Sequence, residues 1–298
     1  MDNRMYAVGA DVGGSHISSA VIDLASGNAV TDPIVTDIDC RADACTVIDA
    51  WCENIIATFS AFPHDVNRVG MALPGPFDYH RGISLIKGVN KFDNLFGLDV
   101  RMAIQSRLSG SEAKEIRFVN DASAFALGEA LGGSARDRSD VVALTLGTGV
   151  GSGFVRNRQL VETGDTVPAN GWVYNLPFDG SIADDAFSTR WIVGRYSELT
   201  GVKLHGAKDV ADRYESDAAA RRVFDEFGAR LASFVIPVME RFGSSTLVLG
   251  GNISRSLNLF RPAMEAVLAK EDKNIEVFQS SLFDRAALIG AAALFFDK

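Results

Sequence analysis

Two rhythms of apolar and polar residues alternate along this chain. Residues 5–12 and 17–24 are short runs rich in Val, Ile and Ala, joined by Gly13-Gly14-Ser15, and read as paired strands. A third candidate strand runs from Val30 to Ile38. Over 43–61 the spacing changes to three and four, so that Val47, Ile48, Trp51, Ile55 and Phe59 share one helical face. A strand at 67–73, a helix near 99–108, a strand at 116–119 and a helix at 122–131 follow. The second half restarts the series with VVALTLG (141–147) and GSGFVRN (151–157) around a glycine-rich turn. Helices around 188–199 and 218–242, a strand at 246–249, a helix near 256–269, a strand at 275–279 and a helix at 285–296 complete it.

Both halves therefore read hairpin, helix, strand, helix, strand, helix. That order predicts an α/β protein built by structural duplication, with two mixed sheets. Two such lobes would leave a cleft between them, a common place for a ligand. The boundary is expected near the helix at 122–131, and 132–139 (GGSARDRS) is the best linker by composition. The expected division is a smaller N-terminal lobe, 1–121 plus the C-terminal helix 284–298, and a larger C-terminal lobe, 122–283.

Composition narrows the function classes. The 298 residues suggest about two domains. A hydrophobic content of 47% with 22% charged residues rules out wholesale disorder, and eight scattered prolines with three cysteines rule out collagen-like or disulfide-stapled scaffolds. The net charge of −9, without a basic run, makes a poor binder of phosphate backbones, so no nucleic-acid partner is expected. Any anionic ligand must be met locally, by backbone N–H groups, a metal or a few side chains. The N-terminus lacks a signal-peptide profile, and no window approaches the ~18 uninterrupted apolar residues of a membrane span. Cys40, Cys45 and Cys52 form no C-x-x-C pair, and His16, His64, His80 and His205 are dispersed. Reduced thiols, no structural zinc and a cytoplasmic location are expected.

Four motifs could carry chemistry. In Asp11-Val12-Gly13-Gly14-Ser15, a turn between strands exposes consecutive N–H groups without a Cβ to block a phosphate, and Asp11 is placed to hold a hydrated Mg²⁺. The same residues suit a plain tight hairpin. Gly147-Thr148-Gly149-Val150-Gly151 stands at the equivalent point of the second half, and opposed hairpins can grip a polyphosphate from both lobes. Asn120-Asp121-Ala122 precedes an apolar helix; it serves as a cap, or as a carboxylate that takes a proton from a substrate hydroxyl, or as both. Gly250-Gly251-Asn252 could admit a base or ribose against bare backbone, and equally suits a strand–helix connector.

In these motifs the sequence resembles the ROK group of sugar kinases and sugar-responsive repressors, over nearly the whole chain. Pro74-Gly75-Pro76, Gly88-Val89-Asn90 and the closing run Asp284-Arg285-Ala286-Ala287-Leu288-Ile289-Gly290-Ala291-Ala292 fit as well. The resemblance implies a two-lobed hexokinase/actin-like ATPase fold of duplicated ribonuclease H-like domains. It implies ATP and Mg²⁺ as cofactors, a small-molecule sugar as substrate, and a homodimer. Residue by residue, Asp121 takes the place of the catalytic base. Gly75, Asn90, Asn120 and Asp185 take sugar-binding places, with Asp185 where a downstream Glu normally sits. Asp11, Gly13, Gly14, Ser15, Gly147, Thr148 and Gly149 take phosphate-binding places, and Gly251 and Asn252 belong to the adenosine motif. His16, at a position often held by Lys or Asn, could touch a phosphate. Two features depart from the group. Its Glu-x-Gly-His pattern aligns here with Ala169-Asn170-Gly171-Trp172, and its cysteine cluster is absent. Trp172 could stack on a sugar face or sit in the core. The leading expectation is an ATP-dependent kinase of a hexose or N-acyl amino sugar. The alternative is a non-catalytic sugar sensor or transcriptional regulator, although ten residues ahead of Asp11 and an acidic chain disfavour direct DNA binding. A filament or chaperone ATPase is more distant.

Overall fold

A computed structural model describes residues 5–108 and 115–296. The chain divides into two compact units, one running to Gly132 and resuming at Asp284, the other spanning Gly133–Phe283. Each has its own sheet and its own core.

In the first unit the elements are β1 (Tyr6–Val12), β2 (His16–Asp23), β3 (Asn28–Ala29), β4 (Ile34–Asp37), α1 (Ala44–Ser60), β5 (Arg68–Leu73), a small hairpin β6 (Phe77–Asp78) and β7 (Ile83–Ser84), α2 (Val100–Arg107), β8 (Glu115–Asn120) and α3 (Asp121–Leu131). The sheet runs β3-β2-β1-β5-β8, with β4 also on β2. β1 and β2 are antiparallel, whereas β5 and β8 add in parallel. The strand expected from Val30 to Ile38 shortens to β4. Pro33 has no N–H to give, and the Thr31 hydroxyl takes the Val21 N–H at 3.0 Å instead. Asp43 caps α1, accepting from the N–H groups of Cys45 and Thr46. The α1 stripe of Val47, Ile48, Trp51 and Ile55 is buried, and so are Asn54 and Thr58. Those two polar groups are satisfied: the Ser19 hydroxyl lies 2.6 Å from each, and the Asn54 amide donates to Ile34 O and Thr36 Oγ1. This buried network fixes the register of α1 against β2 and β4.

The C-terminal helix, Asp284–Ala292, returns to this first unit and is buried from Ala286 to Ala292. Glycine is what lets it in. A Cβ on Gly9 of β1 would lie 1.9 Å from Leu288 O, and one on Gly70 of β5 would lie 1.9 Å from Ala291 O. On the other side, a Cβ on Gly128 of α3 would sit 1.9 Å from Ala286 O, and one on Gly290 would sit 1.8 Å from Ala124 O. The helix thus touches backbone on both sides, and α3 is buried from Ala122 to Leu131. Packed this way, α3 belongs to the first unit, and the units part at Gly132–Gly133, where the 132–139 segment begins, rather than ahead of the helix.

The second unit contains β9 (Asp140–Leu146), β10 (Val150–Arg156), β11 (Gln159–Leu160), a hairpin β12 (Pro177–Phe178) and β13 (Ser181–Ile182), α4 (Ala183–Ala186), α5 (Thr189–Thr200), α6 (Ala207–Ala211), α7 (Ala218–Phe242), β14 (Thr246–Gly250), α8 (Gly251–Ser254), α9 (Leu257–Lys270) and β15 (Glu276–Gln279). Its sheet order is β11-β10-β9-β14-β15, again with an antiparallel hairpin followed by two parallel additions. The duplication read from the sequence is therefore present in the strand order. Aromatic rings fill the core, with Phe187 packed on Phe178, Phe227 and Phe234, and Phe260 edge-on to Phe227.

Helix propensity alone says that Gly128→Ala or Gly290→Ala gains about 1 kcal/mol. The backbone contact reverses that sign. Each substitution should lower the unfolding free energy by roughly 3 kcal/mol, through overpacking against a rigid main chain. Urea denaturation of either variant checks this, and a gain in stability would contradict the close approach.

Candidate active site

The first unit brings the β1–β2 hairpin, the start of α3 and the loop before α2 together. Asp11 lies one residue from the end of β1, half-buried. The turn after it closes with the Gly13 N–H donating to His16 O at 2.9 Å. Among the described residues, the N–H groups of Gly14 and Ser15 donate to no protein group. Two adjacent amides left open between strands form a concavity suited to an anion. His16 is exposed, and its Nδ1 lies 3.1 Å from the Ser15 hydroxyl.

Asp121 is the first residue of α3, at the end of β8. Its Oδ1 accepts from the Ala122 N–H at 2.9 Å. Desolvation pushes its carboxyl above the ordinary range, against the Ala122 bond and the Lys91 charge, which pull it down. Asp11 is pushed up to about 7, first by desolvation, then by repulsion from Asp121 and Asp284, with Lys91 opposing. The two carboxyls that the sequence separates by 110 positions therefore feel one another directly.

Asn120 does the capping: its Oδ1 accepts from Ala122 and Ser123 N–H, and its amide donates to the Tyr79 hydroxyl at 3.2 Å. Tyr79 in turn donates to Leu73 O and stands over Gly75, where a Cβ would come within 3.2 Å of its oxygen. Gly75 precedes Pro76 through a cis bond. Asn90 is exposed with positive φ, and its N–H and that of Val89 bind the Asp93 carboxylate. Lys91, which sequence reasoning passed over, lies with its stem along Gly14. A lone lysine beside a loop motif carries no periodic signal that would have marked it.

In the second unit the β9–β10 hairpin is tied from behind. Gly147 O accepts from the N–H and the hydroxyl of Thr189, and Thr148 O accepts from Arg190 at 2.7 Å. The N–H groups of Thr148 and Gly149 make no bond among the described residues. The carboxylate against this hairpin is Asp184: its Oδ1 accepts from the Val150 N–H at 2.8 Å and would clash with a Cβ on Gly149. Arg190 donates to Asp184 Oδ2 at 2.9 Å. Asp185, the residue singled out from the sequence, is exposed, accepts from the Ser181 hydroxyl at 2.6 Å and lies 3.6 Å from Arg190. Gly251 serves packing. Its φ is +77°, and the β9 backbone at Leu146 occupies the space of its missing Cβ at 2.4 Å. Asn252 beside it is exposed.

The ROK family model matches residues 7–174 and 178–298. The chain belongs to the ROK family. It is 26% identical to the glucokinase of Thermotoga maritima, over 99% of this chain and 98% of that protein. It is 27% identical to the N-acetyl-D-glucosamine kinase of Mannheimia succiniciproducens, over 97% and 99%. The structure of a ROK family glucokinase from Streptomyces griseus in complex with glucose and AMPPNP superposes with a TM-score of 0.75 at 20% identity, over 97% of this chain and 98% of that one. That likeness gives the fold, the actin-like ATPase fold of the ROK hexokinases.

Ala169–Gly171, expected from the sequence at the place of the family's Glu-x-Gly-His pattern, forms a short turn pinned by Ser152, whose hydroxyl donates to Gly171 O and accepts from Val173 N–H. Trp172 is half-buried, its ring 6.0 Å from that of the exposed Tyr174, so it is not enclosed in the core. Among the described residues no group of three or more His, Cys, Asp or Glu is arranged to ligate a metal, and no helix is long and apolar enough to cross a membrane.

The raised carboxyl of Asp11 has a sign that can be tested. A folded-state value near 7, against 3.8 unfolded, means that folding binds a proton between those limits, so stability falls as pH rises from about 4 to about 7. Asp11→Asn removes that cost. In nucleotide-free, metal-free buffer above pH 7 it should stabilise the protein by about 1–2 kcal/mol, the full shift being discounted for solvent access. The gain should vanish towards pH 4. Denaturation at pH 4.5 and 7.5 measures it, and a destabilised variant at the higher pH would contradict the assignment.

Proposed function

We propose that this chain is an ATP-dependent sugar kinase that phosphorylates a hydroxyl of a hexose or N-acyl amino sugar, with Asp121 as general base. The observation that carries the reading is the placement of Asp121. Its raised, half-buried carboxyl stands beside Asp11 and the open amides of the β1–β2 hairpin, with one oxygen held by Ala122 N–H. The names of the two relatives, a glucokinase and an N-acetyl-D-glucosamine kinase aligned end to end with this chain, support the same class of reaction.

A carboxyl with a raised proton affinity suits general-base work near neutral pH. Asp121 takes the proton of the sugar hydroxyl as its oxygen bonds to phosphorus and the bond to the leaving phosphate breaks. The amides of Gly14 and Ser15 would hold phosphate oxygens; fixed N–H dipoles stabilise the charge of the transferring group without reorganising, and the open amides of Thr148 and Gly149 give the second unit donors of the same kind. Bound ATP supplies the phosphoryl group, and Mg²⁺ supplies positive charge on the phosphates. Asp11 fits an Mg²⁺ held through water, because its carboxylate accepts no hydrogen bond among the described residues and a nearby cation would relieve its repulsion from Asp121. The exposed Asn90 side chain and the Asn120 amide, which also serves Tyr79 and the Asp121 carboxyl, would meet sugar hydroxyls, where an unmatched buried polar group costs about 1–3 kcal/mol. Asp184 joins Asp185 as a candidate on the second unit, with its role there the support of the Gly149 turn. The homodimer, the cytoplasmic location and the lack of a nucleic-acid partner belong to this proposal.

The test is Asp121→Asn. Sugar-dependent ADP release, measured over a panel including glucose and N-acetylglucosamine, should fall by roughly 100-fold or more, the scale of a lost general base. Affinity for AMPPNP should stay within a few fold. Turnover near that of the unsubstituted enzyme would overturn the role of Asp121.

A further inference from the structure

Lys91 is held in place by the residues on either side of it. Phe92 is 1% exposed, sets its ring edge-on to Trp51 at 5.4 Å and donates its N–H to Cys40 O at 2.9 Å. On the other side, the N–H groups of Val89 and Asn90 are fixed by the Asp93 carboxylate. With its backbone fixed, the lysine lays its stem on the bare face of Gly14, where a Cβ would lie 2.9 Å from Cε, 3.3 Å from Cδ and 3.6 Å from Cγ. Its ammonium donates no hydrogen bond and forms no ion pair within 4.0 Å among the described residues, although its charge reaches both Asp11 and Asp121.

These facts leave a cation with no hydrogen bond or ion pair among the described residues, its ammonium 5.9 Å from the centre of the Phe92 ring, beside two open amides in a site that otherwise carries the carboxylates Asp11, Asp121 and Asp284. An anionic ligand arriving at Gly14 meets repulsion from all three, which fixed amide dipoles alone offset only in part. A lysine ammonium is a compact point charge on a flexible stem, suited to following a phosphate oxygen. We propose that Lys91 is the residue that meets the polyphosphate chain at the first glycine hairpin, its ammonium bound to a phosphate oxygen next to the Gly14 and Ser15 amides. This rests on the kinase reading for the identity of the phosphate as that of a nucleotide. Gly14 then has a second role beyond opening its amide, since any larger residue displaces the lysine.

The experiment uses the full chain and two probes, AMPPNP with Mg²⁺ and inorganic tripolyphosphate, titrated by calorimetry. Lys91→Met should weaken both by roughly 10- to 100-fold and Lys91→Arg should restore affinity to within a few fold, as expected for a charge-assisted contact to an anion. Gly14→Ala should weaken both probes in the parent chain and add little on top of Lys91→Met, because the two substitutions remove one contact. A purely structural lysine gives the opposite result: Lys91→Met lowers the melting temperature and leaves both affinities unchanged, which overturns the proposal. The two readings fail separately. If the parent chain phosphorylates a sugar and Lys91→Met matches its affinities, Lys91 is wrong and the kinase stands. If the parent binds tripolyphosphate, loses it in Lys91→Met and phosphorylates no sugar, the kinase is wrong and Lys91 stands. No affinity of the parent for either probe overturns both.

Discussion

The first unit depends on one steric constraint, the seating of the C-terminal helix directly on backbone. Gly9, Gly70, Gly128 and Gly290 each face a main-chain carbonyl at a distance that no Cβ could tolerate. The contact locks β1, β5, α3 and the returning helix into one block. Its chemical consequence is at one end of that block, where the end of β1 presents Asp11 and the start of α3 presents Asp121. There Asp121 repels the Asp11 carboxyl, and burial holds both carboxyls above their ordinary ionisation range. Holding the Asp11 and Asp121 carboxyls above their ordinary range costs folding free energy near neutral pH, a common feature of groups poised for function.

The second unit repeats the architecture with different local devices. Its hairpin carbonyls are tied back by Thr189 and Arg190, and its turn is backed by the Asp184 carboxylate. In both hairpins a pair of amides is left without a protein partner among the described residues. The two hairpins thus share open amides but are supported by different side chains. The Gly251 turn serves a third purpose, allowing α8 to lie against β9 at Leu146, which also anchors the end of the β9–β10 hairpin.

Much of this was legible from residue order. The alternation in β1 and β2, the helical stripe of α1, and the repeated hairpin-to-helix series predicted the duplicated α/β fold, because burial on one face imposes those periods. Of the Asn120-Asp121 pair, the structure shows the capping: Asn120 takes the Ala122 and Ser123 amides, and Asp121 shares the Ala122 amide. What stayed hidden depended on tertiary approach. Isolated glycines in strands and helices read as interruptions, and only the returning helix shows why Gly9, Gly70 and Gly128 are there. Asp184 and Asp185 are adjacent and chemically equal, so that Asp184 is the one backing the Gly149 turn shows only in its bond to the Val150 amide. Lys91 had no motif at all; it matters because Phe92 anchors its neighbour and Gly14 gives it room.

Asp11 and Asp121 form one electrostatic unit, and a carbon-detected NMR titration of the aspartate carboxyls in the ligand-free protein reads that coupling. Asp11 should titrate with a midpoint near 7 and Asp121 above the ordinary carboxylate range, and the Asp11 midpoint should move down when Asp121 is replaced by Asn. Midpoints near 4 for both carboxyls, unmoved by that replacement, would contradict it.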